Sequence, residues 1–207
     1  LALQAYYALA RSEYVCTFNF KKTGCDSMEI TNFYQILKSR YSARRYRTSP
    51  IPAESLDRIL ETGREAASAA NRQPWYFIVC SGDDKARLNK VFYKDGFRDA
   101  PVVIAAVANM KEAWKRKSDE MNFAYVDASI AVTEMILAAT AEGLGTCWVA
   151  SFDYSEAKKI LEIPDDMDIV TLFTVGYPHP EDKQPERIRK PAGEVIFNGR
   201  FGKPREK

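Results

Sequence analysis

The apolar positions of the chain fall into two rhythms, one helical and one strand-like. In NFYQILKSR, Phe33, Ile36 and Leu37 recur at helical spacing, and Asn32 stands where a cap is wanted. In SPIPAESLDRILETGREAA, Pro52 suits a first helical position, and Leu56, Ile59 and Leu60 form one stripe. WYFIVC, from Trp75 to Cys80, reads as a buried strand. DDKARLNKVF reads as a surface helix that turns Leu88, Val91 and Phe92 inward. APVVIAAVA, from Ala100 to Ala108, reads as a second, fully buried strand.

A long helix is predicted from Asn122 to Glu142. Phe123, Val126, Ile130, Ile136 and Leu137 leave it little polar face, which suits a core or an interface. GLG ends it, with Gly143 as a left-handed cap. TCWVA is a short strand. Asp153 and Glu156 resemble a capping box for a helix through Leu161. DIVTLFTVG is a last core strand, broken by YPHP. The tail GEVIFNGRFG reads as strand-like and able to reach another subunit. Helices and strands alternate without a βαβ rhythm, so the expected class is a layered α+β fold with no internal repeat.

Composition narrows the picture. The chain has 207 residues, 46% of them hydrophobic. That suffices to bury one core, and no Pro/Gly/Ser-rich linker divides the sequence. Residues 1–27 differ in character and show no clear signal peptide. They read as an extension of unknown role, with 28–207 as the domain. The net charge is +2, from 30 basic and 28 acidic residues. A general nucleic-acid binder shows a stronger basic excess. Cys16, Cys25, Cys80 and Cys147 match no zinc or redox motif. Cys80 and Cys147 lie in apolar runs, so a reduced, cytoplasmic setting is expected. No apolar run reads as long enough to span a membrane.

Against that near-neutral background, RYSARRYR places four arginines between Arg40 and Arg47. Arg40 and Arg44 lie four apart with Ser42 between them. If the chain leaves its helix there, two guanidinium forks and a hydroxyl can converge on one phosphate. The bland alternative is a solvated basic face. Other chemistries are poorly supported. The single histidine, His179, sits between two prolines in a turn. The pairs Asp83–Asp84 and Asp165–Asp166 sit where turns and helix starts are expected. GLGTCW departs from a dinucleotide fingerprint at Trp148. An enzyme built on this chain therefore needs a cofactor to carry its reaction. SAANRQPWYF, from Ser68 to Phe77, offers small residues and two amides before a core strand, which lets backbone approach a flat ring.

Taken together, RYSARRY, SAANRQPWYF, GLGTCWVASFD, VGYP and RIRKP followed by VIFNGRFG resemble the FMN-dependent nitroreductase family, in order and spacing, across nearly everything from Met28 onward. The resemblance implies a central, mainly antiparallel sheet wrapped by helices. It implies an intertwined homodimer with two FMN sites at the interface. The long helix would lie at that interface, and the tail after Gly193 would embrace the partner. It also implies ping-pong transfer of a hydride from NADH or NADPH, through flavin N5, to a nitroaromatic, quinone or similar electron-poor acceptor. Solvent would supply protons, so no catalytic side chain and no metal are expected.

Position by position, Arg40 and Ser42 match residues that hold the FMN phosphate, with Tyr41 between them in the same site. Arg44 matches a basic residue reaching the ring near N1 and O2, or the ribityl chain. Ser68, Ala69 and Asn71 match the loop contacting FMN from the other subunit, and Gln73 continues it. Ala150 and Ser151 match positions beside the reactive edge. Trp148 and Val149 would form a wall against one ring face. Arg187 and Arg189 match basic residues near the phosphate, with Lys190 the alternative to Arg189. Arg45 and Arg47 read as solvated neighbours. The chain departs from the family at Ala150, where some members are acidic, and at Ala67, where many have proline. Its segment from Met110 to Met121, where the family builds a substrate lid, is compact. Other readings are reductive dehalogenation or flavin fragmentation on the same fold, a non-catalytic flavin-binding protein, or an anion- or nucleic-acid-binding module.

Overall fold

The structure, a computed structural model, describes residues 30–205. The chain divides into two compact units, Leu1–Gln35 and Ile36–Lys207. Of the first unit, only the opening turns of one helix fall within the described residues. The extension proposed for residues 1–27, with Cys16 and Cys25, lies outside them.

In chain order the elements are α1 (Ile30–Ser39), α2 (Ala53–Arg64), β1 (Trp75–Ser81), α3 (Gly82–Leu88), β2 (Val102–Asn109), α4 (Ala124–Ala141), β3 (Gly145–Val149), α5 (Tyr154–Ile160), β4 (Met167–Gly176) and α6 (Ala192–Val195). The four strands form one antiparallel sheet in the order β1-β2-β4-β3. This is the α+β class expected. Pairing runs from Trp75↔Ala108 to Ser81↔Val102 between β1 and β2, and from Gly145↔Gly176 to Val149↔Leu172 between β3 and β4. The β2–β4 register slips between Ala106 and Val107.

All eight residues of β2 are buried, because both faces of the sheet are covered. Successive side chains of a strand point to opposite faces. Val103, Ala105 and Val107 therefore join Leu88, Val91, Phe92 and Ala157 on the side of α3 and α5. Val102, Ile104 and Ala106 join Ile59, Val132, Met135 and Ala139 on the side of α2 and α4. Cys80 and Cys147 are buried free thiols.

Local signals explain most boundaries. Gly143, at φ +74°, ends α4. The Leu144 N–H donates to the Ala139 carbonyl at 2.8 Å, and the Gly143 N–H to that of Thr140 at 3.1 Å. Those two bonds make a Schellman end that a left-handed glycine permits. Asp153 caps α5 by accepting from the Glu156 N–H at 3.0 Å. Glu156 does not reciprocate; its carboxylate pairs with Lys90 at 2.6 Å.

Four expectations need correction. Asn32 lies inside α1, which begins at Ile30, so it is not the cap. Pro52 is the N-cap of α2, one residue before its expected place. The tail is not a strand. It forms the short α6, then turns at Gly199 and Gly202, whose φ values are +75° and +79°. One isolated bridge, Phe197↔Pro204, closes the turn. Finally, α4 does meet the length and hydropathy of a membrane span, at 18 residues and a mean hydropathy of 1.3. It is 44% buried inside the chain, as the core helix of this fold.

Helices α2 and α4 approach closely at Gly63. A Cβ there would collide with the Met135 thioether, lying 2.7 Å from its Cγ and 3.2 Å from Phe77 Cε2. Alanine normally favours a helix over glycine by about 1 kcal/mol. Gly63→Ala is nevertheless expected to destabilise the fold by about 1–3 kcal/mol through overpacking. Urea unfolding measures this, and a stabilised variant would show that the two helices are not in close contact.

Candidate functional site

The arginine segment is pinned on three sides. After α1, Ser42 bridges to Thr146 in parallel, and the Ala43 N–H donates to the Thr146 carbonyl at 2.9 Å. The chain thus lies along the edge of β3. Buried Tyr46 donates its hydroxyl to the Ala43 carbonyl at 2.9 Å. The Thr174 hydroxyl, 2.6 Å away, must then donate to Tyr46. The turn at 177–182 grips the same segment. The Arg47 N–H donates to the Tyr177 carbonyl at 2.9 Å, and the His179 N–H to that of Arg45 at 3.0 Å. The Arg44 N–H donates to Asp182 Oδ2 at 3.1 Å, and the Tyr41 hydroxyl to the Asp182 carbonyl at 3.0 Å. On the third side the Arg44 carbonyl packs directly on Gly96, where a Cβ would collide with it. Tyr41 therefore serves the turn through its hydroxyl. Arg45 is exposed, as expected of a solvated neighbour, and pairs on the surface with Glu181 at 2.7 Å.

Three other guanidinium groups are brought together. Burial lowers the pKa of Arg40, and the charges of Arg187 and then Arg189 lower it further. Among the described residues no carboxylate lies within ion-pair distance of any of the three. Lys190 is exposed. Arg187 is partly committed elsewhere. It donates to the Leu37 carbonyl at 2.9 Å and to the Arg40 carbonyl, where a cation meets the negative end of α1. A cluster of like charges without a counter-ion is suited to a phosphate.

A second feature lies before β1. Ala70, Asn71 and Gln73 adopt φ values of 51°, 55° and 50°. Left-handed backbone in residues other than glycine costs roughly 1–3 kcal/mol each. The loop is held by bonds from the Asn71 N–H to the Ser68 carbonyl at 3.0 Å, from the Arg72 N–H to that of Ala69 at 3.2 Å, and from the Gln73 N–H to Ser68 Oγ at 2.9 Å. The amide of Gln73 donates to Asn71 Oδ1 at 3.1 Å, so the two amides partly satisfy each other. The Ala69 N–H leaves the loop and donates to Asp127 Oδ1 at 3.0 Å.

The third feature is the end of β3. Ala150 and Ser151 are exposed just past it. Val149 is buried among the residues facing α3 and α5, whereas Trp148 packs on the side of α2 and α4. The two cannot form one wall, because neighbours in a strand point opposite ways. Only the half-buried Trp148 remains for that purpose.

The antiparallel register puts the start of β1 and the end of β3 at the same end of the sheet. They lie on opposite edges, three strand spacings or roughly 14 Å apart. One chain therefore does not bring its loop at 68–73 onto its own β3 edge. The same end carries a cluster that sequence reasoning missed. Tyr125 and Tyr154 donate to the two oxygens of Asp168 at 2.9 and 2.8 Å. Burial and the carboxylate push the Tyr125 phenol up to about 12. Asp182 and Asp127 were also missed. Asp127 had one signal, a carboxylate within an otherwise apolar helical run.

A model of the nitroreductase family matches residues 37–95 and 89–177. A crystal structure of a nitroreductase family protein from Clostridium difficile 630 is 27% identical and superposes with a TM-score of 0.75, covering 81% of this chain and 98% of that one. An NADH dehydrogenase of Thermus thermophilus is 27% identical over 180 residues, 72% of this chain and 88% of that protein. An iodotyrosine deiodinase of Thermotoga neapolitana is 26% identical over 191 residues, 79% of this chain and 95% of that protein.

The uncompensated arginines predict a direct effect of inorganic phosphate. Phosphate at many times its Kd should raise the Tm of the flavin-free protein by about 2 °C or more. Arg40→Ala should remove that rise. Without an anion the variant should be at least as stable as the wild type, since it loses a like-charge contact. Equal shifts in the two proteins, read by thermal unfolding, would show that Arg40 does not hold the anion.

Proposed function

The chain belongs to the nitroreductase family, and we propose that it is an FMN-dependent NAD(P)H oxidoreductase whose flavin site is completed by a second copy of itself. The observation that carries this reading is the trio Arg40, Arg187 and Arg189, which lacks a counter-ion among the described residues. When bound, FMN supplies the redox chemistry, accepting a hydride from NADH or NADPH and reducing a flat, electron-poor acceptor such as a nitroaromatic or quinone.

The protein's part is binding, orientation and electrostatics. Arg40 and Arg189 hold the phosphate, with Ser42 adding a hydroxyl and Arg187 dividing its donors between the phosphate and the end of α1. Arg44, whose backbone is fixed by Asp182 and Gly96, sends its side chain toward the ring or the ribityl chain. A cation there stabilises negative charge on the reduced ring. The exposed backbone at Ala150 and Ser151 lies along the reactive edge, and Trp148 covers part of one face. The loop carrying Ser68, Ala69, Asn71 and Gln73 meets the flavin of the partner. Donor and acceptor use one pocket in turn, which gives ping-pong kinetics. In this reading residues 28–207 form the flavin-binding domain.

Three surfaces support the dimer. The outer face of α4 carries a groove of about 610 Å³ lined by Tyr125, Val126, Ser129, Ile130, Thr133 and Glu134. A second groove of about 650 Å³ lies beside the free edge of β1 and includes Leu60, Trp75, Phe77 and Val79. In the tail, Ile188 and Phe201 are 81% and 93% exposed, which suits a segment that lies on a partner. Reductive dehalogenation is the weaker reading despite the deiodinase relative. That chemistry calls for a longer lid with tyrosine, lysine and acidic residues over the ring, and the compact segment from Met110 to Met121 has no tyrosine.

An anaerobic absorbance spectrum tests the proposal. The purified protein, or the protein given FMN, should show a flavin band that bleaches with NADH or NADPH. No band after FMN addition would overturn the flavin assignment, and a band that neither nucleotide bleaches would overturn the reductase. Arg44→Ala should raise the Kd for FMN about tenfold or more, the loss of one charge-assisted contact. Wild-type flavin content and potential in that variant would remove Arg44 from the site. Ile130→Arg, on the outer face of α4, should yield a folded monomer that loses FMN. Sedimentation and flavin content then have to fall together, and a monomer that keeps its flavin would place the whole site in one chain.

A further inference from the structure

Asp127 is 1% exposed, a carboxylate buried in the first turn of a mostly apolar helix. Around it the core is built of small residues, Ala66, Ala108, Ala124, Ala128 and Ala131, with Trp75. Acidic residues near a helix start are often explained by the helix dipole. Here the carboxylate reaches away from its own helix. Oδ1 accepts the Ala69 N–H at 3.0 Å, and Oδ2 has no hydrogen-bond partner among the described residues. An ionised group so placed is unfavourable unless its bonds compensate. Its one bond goes to the first residue of the left-handed loop. The other recorded N–H bonds of that loop, from Asn71, Arg72 and Gln73, close on the loop itself. Bonds within a strained loop fix its shape but do not attach it to the core. The Asp127 bond does attach it.

We propose that Asp127 is a positioning residue for the flavin site: its buried carboxylate, through the Ala69 N–H, ties the left-handed loop 68–73 to helix α4 in the form that meets the partner's flavin. This rests on the flavin reading above. A charge-assisted bond is about twice as strong as a neutral one, which suits a loop whose backbone strain opposes its conformation. The link also joins two parts of the proposed dimer site, since α4 carries the interface groove and the loop carries the ring contacts.

The test separates the tether from the core. Asp127→Leu keeps the volume and removes the acceptor. It should leave Tm unchanged or raised, because a buried, half-paired charge is lost. FMN Kd should rise about tenfold to a hundredfold, the loss of one charged hydrogen bond. Amide exchange across 69–73 in the flavin-free protein should quicken at least about tenfold, as the loop opens locally. Asp127→Asn retains a carbonyl oxygen for Ala69 but not the charge, and should restore both in part. Wild-type FMN affinity and wild-type exchange in Asp127→Leu would overturn the proposal, as would an asparagine variant no better than the leucine one. If Asp127→Leu does not fold, Ala69→Pro removes the donor from the loop side, after an extended Ser68 that tolerates it. The same loss of FMN affinity and protection is then expected, and their persistence overturns the tether. A wild-type protein that takes up no FMN would refute the flavin reading itself. The exchange comparison would still decide whether Asp127 holds the loop.

Discussion

Covering a sheet on both faces removes those faces from chemistry. The eight residues of β2 and the second half of β4 are buried in packing between the layers. What remains are the two edges and the two ends. The edge of β3 is occupied by residues 42–46, bonded to Thr146 and locked by Tyr46 and Thr174. That placement brings the arginine cluster to the sheet. At one end of the sheet the β3 terminus and the β1 entry loop stand on opposite edges, with two strands between them. A ligand that uses both must bridge two chains or span the end of one.

The features that mark the site are all unfavourable for an isolated chain. Three guanidinium groups repel one another. Three residues other than glycine hold positive φ within four positions. Among the described residues, one buried carboxylate oxygen, Asp127 Oδ2, has no partner. A stable fold retains such features only where surrounding structure, a ligand or a second chain offsets them. An anion answers the first. A flat ring against the loop answers the second in the proposed dimer, and the bond from the Ala69 N–H to the other oxygen offsets part of the third.

The sequence was most legible where local rules decide. The run APVVIAAVA could only be a buried strand. Gly143 announced its left-handed cap, and Asp153 its helix start. The chemistry of the arginine cluster was legible as a class, but its internal division was not. Arg45 pairs with Glu181, and the Arg44 backbone with Asp182, across 136 and 138 residues of chain. No local pattern reports such contacts. The assignment of Trp148 and Val149 to one wall was avoidable, because the two-residue period of a strand already forbids it. The tail misled for another reason. Its composition is strand-like, but a strand needs an edge to pair with, and the tail pairs with none of the four strands. The length of α4 was likewise read for interface and not for membrane, since one face packs Ala128, Val132 and Met135 into the core while Tyr125 and Ile130 lie exposed on another.

The near-neutral composition and the local excess of arginine are two sides of one arrangement. Elsewhere on the surface most arginines have a carboxylate nearby, often three residues away, as in Arg64 with Glu61, Arg98 with Asp95 and Arg116 with Asp119. Such exposed pairs contribute little to stability. They do quench the field, whereas pairing is withheld around Arg40, Arg187 and Arg189, which lie together. If the loop that meets the ring comes from the other subunit, those arginines hold a cofactor that one chain alone cannot cover. Flavin affinity then depends on the concentration of the protein itself, because ligand binding and association draw on the same folded dimer. Occupancy and assembly become one equilibrium, and the strained loop is held in shape chiefly for a partner's use.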